Sequence, residues 1–136
     1  MSRNGLFLVC SAFPLSLVRR RVVIEPCDIT QVQRMLSQRP FVSCWGHENT
    51  IALASKLLAV DVTPKSKRPA VMLDEEQYPM LEGASFSECL VLSPNYVPGF
   101  RPAVGEEVGI EKITGWHALH IRWETEATAI NKESPS

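Results

Sequence analysis

The sequence is poor in the features that mark specialised proteins. It has no charge excess: 14 basic and 15 acidic side chains among 136 residues leave a formal charge of −1. That balance excludes a global attraction to a nucleic-acid backbone or an anionic membrane, so any phosphate binding must be local. It has no C-x-x-C pair, and its four cysteines, Cys10, Cys27, Cys44 and Cys89, show no metal-like spacing with its three histidines. No metal or other cofactor is therefore expected, and the thiols read as reduced core residues of a reducing compartment. Long apolar runs are missing too. The N-terminal stretch from Gly5 to Phe13 is short, Pro14 interrupts it, and Arg19-Arg20-Arg21 follows without a stop-transfer span. The reading is a cytoplasmic protein that neither enters nor crosses a membrane. There are no repeats and no low-complexity tract, and the length suits one domain.

What is present is an ordinary globular composition, 45% hydrophobic and 21% charged, patterned as alternating strands and helices. Leu6 to Cys10 is a continuous apolar run of the kind buried on both faces of a sheet. Arg21 to Glu25 is β-branched and reads as a strand ending at Pro26. Asp28 and Gln31 have capping-box spacing, and Ile29, Val32, Met35 and Leu36 recur with helical period, which predicts a helix over 28–38 closed by Arg39-Pro40. Phe41 to Trp45 is a short strand or an ordered approach to the next element. Ile51, Ala54, Leu57 and Leu58 form one stripe of a second helix, running from Asn49 or Thr50 to Val60.

Further on, Thr63 to Pro69 is a basic turn, Ala70 to Leu73 a strand, Asp74 to Glu88 an exposed acidic loop, and Cys89 to Ser93 a strand. Pro94 to Pro102 reads as a turn-rich loop. Trp116 to Glu124 alternates with period two and closes the fold as a strand. The expectation is a single-domain α/β protein with a mixed sheet of about five strands covered by two or three helices. Residues 125–136 lack a pattern and read as a flexible tail.

The chemistry concentrates at Gly46-His47. A helix start offers unpaired N–H groups and the positive end of the macrodipole, which favour an anion. Gly46 admits a phosphate closely, and Asn49 and Thr50 can cap the helix or contact the ligand. A histidine beside it can protonate the leaving oxygen of a phosphodiester, because imidazole titrates near neutrality. The plainer reading of His47 is a cap or surface residue.

Two motifs, Ser11-Ala12-Phe13 after the first strand and Gly46-His47-Glu48-Asn49-Thr50-Ile51 opening the second helix, resemble the viral anti-CRISPR and CRISPR-associated ring nucleases. The similarity runs loosely from Leu6 to Glu124, which makes residues 1–124 a ring-nuclease-like domain. What the resemblance implies is a metal-independent homodimer that holds a cyclic oligoadenylate, cyclic tetra-adenylate above others, across its two-fold axis. The 2′-hydroxyl attacks the neighbouring phosphorus while His47 protonates the departing 5′-oxygen. Linear products with 2′,3′-cyclic phosphate ends result, and type III CRISPR signalling is switched off, in the host cytoplasm if the protein is viral.

By the same resemblance, Ser11 donates to phosphate, Gly46, Asn49 and Thr50 line the ligand, and Arg68 pairs with phosphate. One departure stands out. Where the family carries an arginine and a glutamate after the strand matching Cys89 to Ser93, this chain reads Asn95-Tyr96-Val97-Pro98-Gly99. Asn95 and Arg101 are the residues available there to hold the ligand, with Tyr96 or Phe100 to stack on a base. The missing pair leaves open a sponge that binds a cyclic nucleotide without cutting it. An inhibitor acting through protein contacts is the third reading. His117 and His120 face opposite sides of their strand and do not form a shared metal site. Trp45, Trp116 and Trp123 read as core or interface anchors.

Overall fold

The computed structural model describes residues 6–45, 50–65, 70–101 and 110–124. In chain order these form β1 (Phe7–Cys10), β2 (Val22–Cys27), α1 (Ile29–Gln38), β3 (Phe41–Ser43), α2 (Ile51–Leu58), β4 (Met72–Leu73), β5 (Pro79–Leu81), β6 (Ala84–Ser85), β7 (Glu88–Tyr96) and β8 (Ile113–Trp123). Short 3-10 turns at Leu15–Leu17 and Ile110–Lys112 complete the elements. The five-stranded sheet runs β2-β8-β7-β1-β3 and is mixed. Strands β3 and β7 lie parallel to β1, and β8 is antiparallel to both β7 and β2. The α/β single-domain architecture expected from the sequence is the one observed.

Strand β1 is apolar throughout because it is interior. Phe7, Leu8, Val9 and Cys10 are fully buried, alternate residues facing opposite layers. On one face Phe7 and Val9 join Leu90, Leu92 and Ala118 beneath the helices, which contribute Val32, Leu36, Ala54 and Leu58. On the other, Leu8 and Cys10 join Cys89, Ile121 and Trp123 beneath Tyr78, Leu81 and Phe86 of the segment that carries β4-β5-β6. Layers on both faces account for a sheet whose middle strands are continuously hydrophobic.

Helix α1 begins where the spacing predicts. The Gln31 amide donates to Asp28 Oδ1 at 2.8 Å and the Asp28 amide to Gln31 Oε1 at 2.9 Å, so each side chain satisfies an orphan amide of the first turn. It stops at Arg39 because the following proline cannot extend the ladder. Helix α2 ends at Ala59, which adopts the left-handed conformation with φ 58°.

Three local expectations are corrected. Strand β2 continues through Pro26 to Cys27, since β2 is an edge strand with a ladder on one side only, where proline is tolerated. Strand β7 continues to Tyr96 rather than breaking at Pro94: β1 pairs with β7 only as far as Val91, so the outer part of β7 also has one free side. The segment 74–88 is not an exposed loop. Its charged Glu75, Glu76 and Glu82 face solvent, but Tyr78, Leu81 and Phe86 are buried and the segment builds β5 and β6. Asp74 organises it by accepting the amides of Glu76 and Tyr78 on Oδ1, at 2.8 and 3.0 Å, and the Ser85 hydroxyl on Oδ2 at 2.7 Å. The expected tail, residues 125–136, lies outside the described residues. Among the described residues no helix is long and apolar enough to cross a membrane.

Candidate functional site

Strands β3, β1 and β7 run the same way, so their C-terminal ends meet at one edge of the sheet. In open α/β sheets this edge is where ligands bind. Ser11 follows β1, Trp45 lies two residues past β3, and Asn95 stands near the end of β7. The Ser93 hydroxyl donates to the Ser11 carbonyl at 3.1 Å, tying the segment after β1 to β7. Ser11 itself is buried.

The two residues that flank 46–49, Trp45 and Thr50, are bonded to each other. Trp45 is packed in the helix-side core, its amide donates to Ser43 Oγ at 3.2 Å, and its indole N–H donates to Thr50 Oγ1 at 3.0 Å. Its ring lies 6.5 Å from that of Trp116. Thr50, buried at 1% exposure, occupies the N-cap of α2 without a side-chain capping bond. Its hydroxyl oxygen instead serves the indole. Gly46, His47, Asn49 and Arg68, all assigned to the site from the sequence, lie outside the described residues.

Asn95 is exposed near the end of β7, and Arg101, in the segment that follows that strand, is exposed too. The Asn95 carbonyl accepts the Thr114 hydroxyl at 3.0 Å, and Asn95 Oδ1 lies 2.7 Å from His117 Nδ1. Just beyond, the Phe100 amide donates to the Val97 carbonyl at 3.1 Å in a turn that needs Gly99 at φ 81°. The turn sets Tyr96 and Phe100 edge to face, 5.5 Å between centroids, with Lys112 Nζ 5.4 Å from the Phe100 ring. Partial burial raises the Tyr96 phenol above its usual range. Aromatic rings flanked by exposed cations are suited to stacking on bases while pairing with phosphates.

Sequence reasoning did not find His117 or Lys112 as site residues. The partners of His117 and Lys112 are fixed by strand pairing across a 22-residue separation in the first case and by a loop contact in the second, neither of which leaves a local motif.

Other candidates are engaged elsewhere. Arg20 lies over the Tyr78 ring at 4.4 Å and donates to the Glu76 and Glu124 carbonyls, and Arg21 faces Glu124 at 3.9 Å. This basic triplet is at the opposite edge of the sheet from Ser11, because β2 starts beside the end of β8. Also at that edge, Glu88 pairs with Arg39 at 2.5 Å and with His120 Nε2 at 3.0 Å. The hydrogen bond from His120, with the Arg39 guanidinium adding to it against partial burial, lowers the Glu88 carboxyl to about 2. His117 and His120 thus have separate partners on opposite faces of β8.

The four cysteines are free. Cys10 Sγ lies 3.2 Å from Cys89 Sγ, and Cys44 hydrogen-bonds Cys10 from the other side. Against the contact with Cys44, which lowers it, the Cys89 contact and burial raise the Cys10 thiol above the ordinary range; the Cys10 contact and burial raise Cys44, and burial raises Cys27. Among the described residues no group of three His, Cys, Asp or Glu side chains is placed to hold a metal ion.

The chain is therefore an α/β protein with a candidate polar site at the C-terminal edge of its parallel strands. No protein-family model matches it, and no curated protein does. Among solved structures it is similar to B116 of Sulfolobus turreted icosahedral virus, with 15% identity and a TM-score of 0.56, over 88% of this chain and all of that one. At this identity the likeness speaks for the fold.

Proposed function

We propose that the protein is a metal-independent ring nuclease that opens a cyclic oligoadenylate, cyclic tetra-adenylate above others, with His47 as general acid. The observation that carries this reading is the convergence of Ser11, the Trp45–Thr50 bracket around 46–49, and Asn95 at one edge of the sheet. These are positions where the sequence resemblance puts the ligand. The similarity of fold to a viral protein supports a viral setting, in which the enzyme degrades the second messenger in the host cytoplasm and silences type III CRISPR defence.

In this mechanism the ring lies across a homodimer, each copy offering one His47. The ribose 2′-oxygen attacks the adjacent phosphorus in line with the departing 5′-oxygen, to which His47 gives its proton. Fixing those atoms near attack geometry supplies much of the acceleration. Arg101 and Lys112 are the exposed cations of the β7–β8 end available to neutralise phosphate, in place of the family's arginine, and Tyr96 and Phe100 offer ring faces to adenine.

A second reading is favoured by Asn95-Tyr96-Val97-Pro98-Gly99, which lacks the family's arginine and glutamate: a sponge that holds the ring uncut. One experiment separates the two. Wild type and His47→Ala are incubated with cyclic tetra-adenylate in EDTA and the products resolved by chromatography. Linear product with wild type alone supports the nuclease, and ring recovered intact after denaturing a tight wild-type complex selects the sponge. An intact ring with no complex removes both.

A further inference from the structure

Cys10, Cys44 and Cys89 lie together on the sheet face away from the helices, and the proposed reaction uses none of them. We infer that Cys10 and Cys44 form a reversible oxidation site, closing to a disulfide when the protein meets a hydroperoxide, with Cys44 reacting first and Cys10 resolving it. The inference is independent of the ring-nuclease reading.

Register is the first observation. Strands β1 and β3 pair Phe7 with Phe41, Leu8 with Val42 and Val9 with Ser43, and the Cys44 amide continues the ladder by donating to the Val9 carbonyl at 2.8 Å. The next step of that register sets Cys10 beside Cys44. Neighbouring strands lie about 4.8 Å apart, within the Cα separation that a disulfide spans. The two thiols are already hydrogen-bonded.

The same geometry disfavours the other thiol contact. Cys10 Sγ lies 3.2 Å from Cys89 Sγ, but the β1–β7 register pairs Cys10 with Val91 and Cys89 with Leu8. These two cysteines are therefore offset by two residues on neighbouring strands. Sheet spacing then puts their Cα atoms roughly 8 Å apart, too far to bridge without backbone movement.

Access sets the order of events. Cys10 and Cys89 are fully buried, whereas Cys44 is only partly so. An oxidant meets Cys44 first. The Cys10 contact and burial hold the Cys44 thiol above its usual range. Because the thiolate is the reactive form, oxidation is slow at neutral pH and faster in alkali.

The chemistry balances with hydrogen peroxide as the oxidant. Cys44 Sγ attacks one peroxide oxygen, the O–O bond breaks, and the departing hydroxide leaves as water with the thiol proton, giving a sulfenic acid. Cys10 Sγ then attacks that sulfur. The S–O bond breaks and the hydroxyl leaves as a second water with the Cys10 proton. A dithiol reductant restores both thiols by exchange. The bond joins the ends of β1 and β3 one residue before Ser11 and Trp45.

The test treats full-length wild type, Cys44→Ser and Cys89→Ser with hydrogen peroxide, blocks remaining thiols with an alkylating reagent, and maps the digest by mass spectrometry without reduction. A peptide pair linking Cys10 to Cys44 is expected in wild type and in Cys89→Ser. It should form faster at alkaline pH, vanish with dithiothreitol and be missing from Cys44→Ser. Wild-type thiols that all remain open to alkylation overturn the site. So does a bridge from Cys10 to Cys89, a bridge between two chains, or Cys44 carried on to sulfinic acid while Cys10 stays free. The wild-type map decides by itself, so a variant that fails to fold leaves the test intact.

Discussion

The indole N–H of Trp45 donates to the hydroxyl oxygen of Thr50 at 3.0 Å, and both side chains are buried. This bond ties the end of β3 to the start of α2. It also draws the threonine hydroxyl away from the helix cap it would otherwise serve, so that the start of α2 is anchored to the core by a side chain from the end of β3.

Thr50→Val keeps the shape of the side chain and removes the acceptor. The expected loss is about 1–2 kcal/mol in global stability, the scale of a buried donor deprived of a partner. Urea unfolding followed by far-UV circular dichroism measures it. A midpoint unchanged from wild type contradicts the anchoring role.

Glu88 gives a pH dependence with a definite sign. Its carboxyl is lowered from 4.5 to about 2 by His120 and Arg39, so the folded state binds its proton less readily than the unfolded chain. The stabilisation is fully present above the unfolded carboxylate range and is lost as pH falls through about 2. Solvent reaches this pair, which limits the contribution to about 1 kcal/mol. Urea midpoints of wild type and Glu88→Gln should differ at neutral pH and converge between about pH 4.5 and 2. Parallel curves across that window count against the assignment.

Asp74 gathers three donors into one carboxylate. Asp74→Ala is expected to cost about 1–3 kcal/mol and to loosen β5 and β6 ahead of the main sheet. Hydrogen exchange reads this out as faster exchange at Phe86, whose amide donates to Pro79, while β1 amides stay protected. Uniform loss of protection argues that the small sheet and the main sheet open together.

The parts of the fold that were legible in the sequence are those whose causes are local. The Asp28/Gln31 box, the Val32/Leu36 stripe and the apolar β1 each carry their explanation within a few residues. The small sheet does not. Its turns place Gln77 and Glu82 at positive φ, where glycine or asparagine is the usual signal, and its buried Tyr78 and Phe86 are scattered among acidic neighbours. The outer half of β7 was hidden by Pro94, whose tolerance depends on β1 ending early, a tertiary fact.

The site divides in the same way. Ser11, Thr50 and Asn95 are candidates that motif and order supply, and the sheet brings the ends of β1, β3 and β7 beside them to one edge. What Thr50 does there, and the pairing of Asn95 with His117, depend on neighbours that no spacing in the chain records.

The seating of Trp45 also has a practical consequence. A buried indole just past the end of β3 is an intrinsic fluorophore at the C-terminal edge of the parallel strands, and a change in its emission reads a change of environment there without any attached dye. Trp123, edge to face with Phe13 at 5.3 Å between centroids, supplies a second signal from the same chain, one that follows the integrity of the opposite layer.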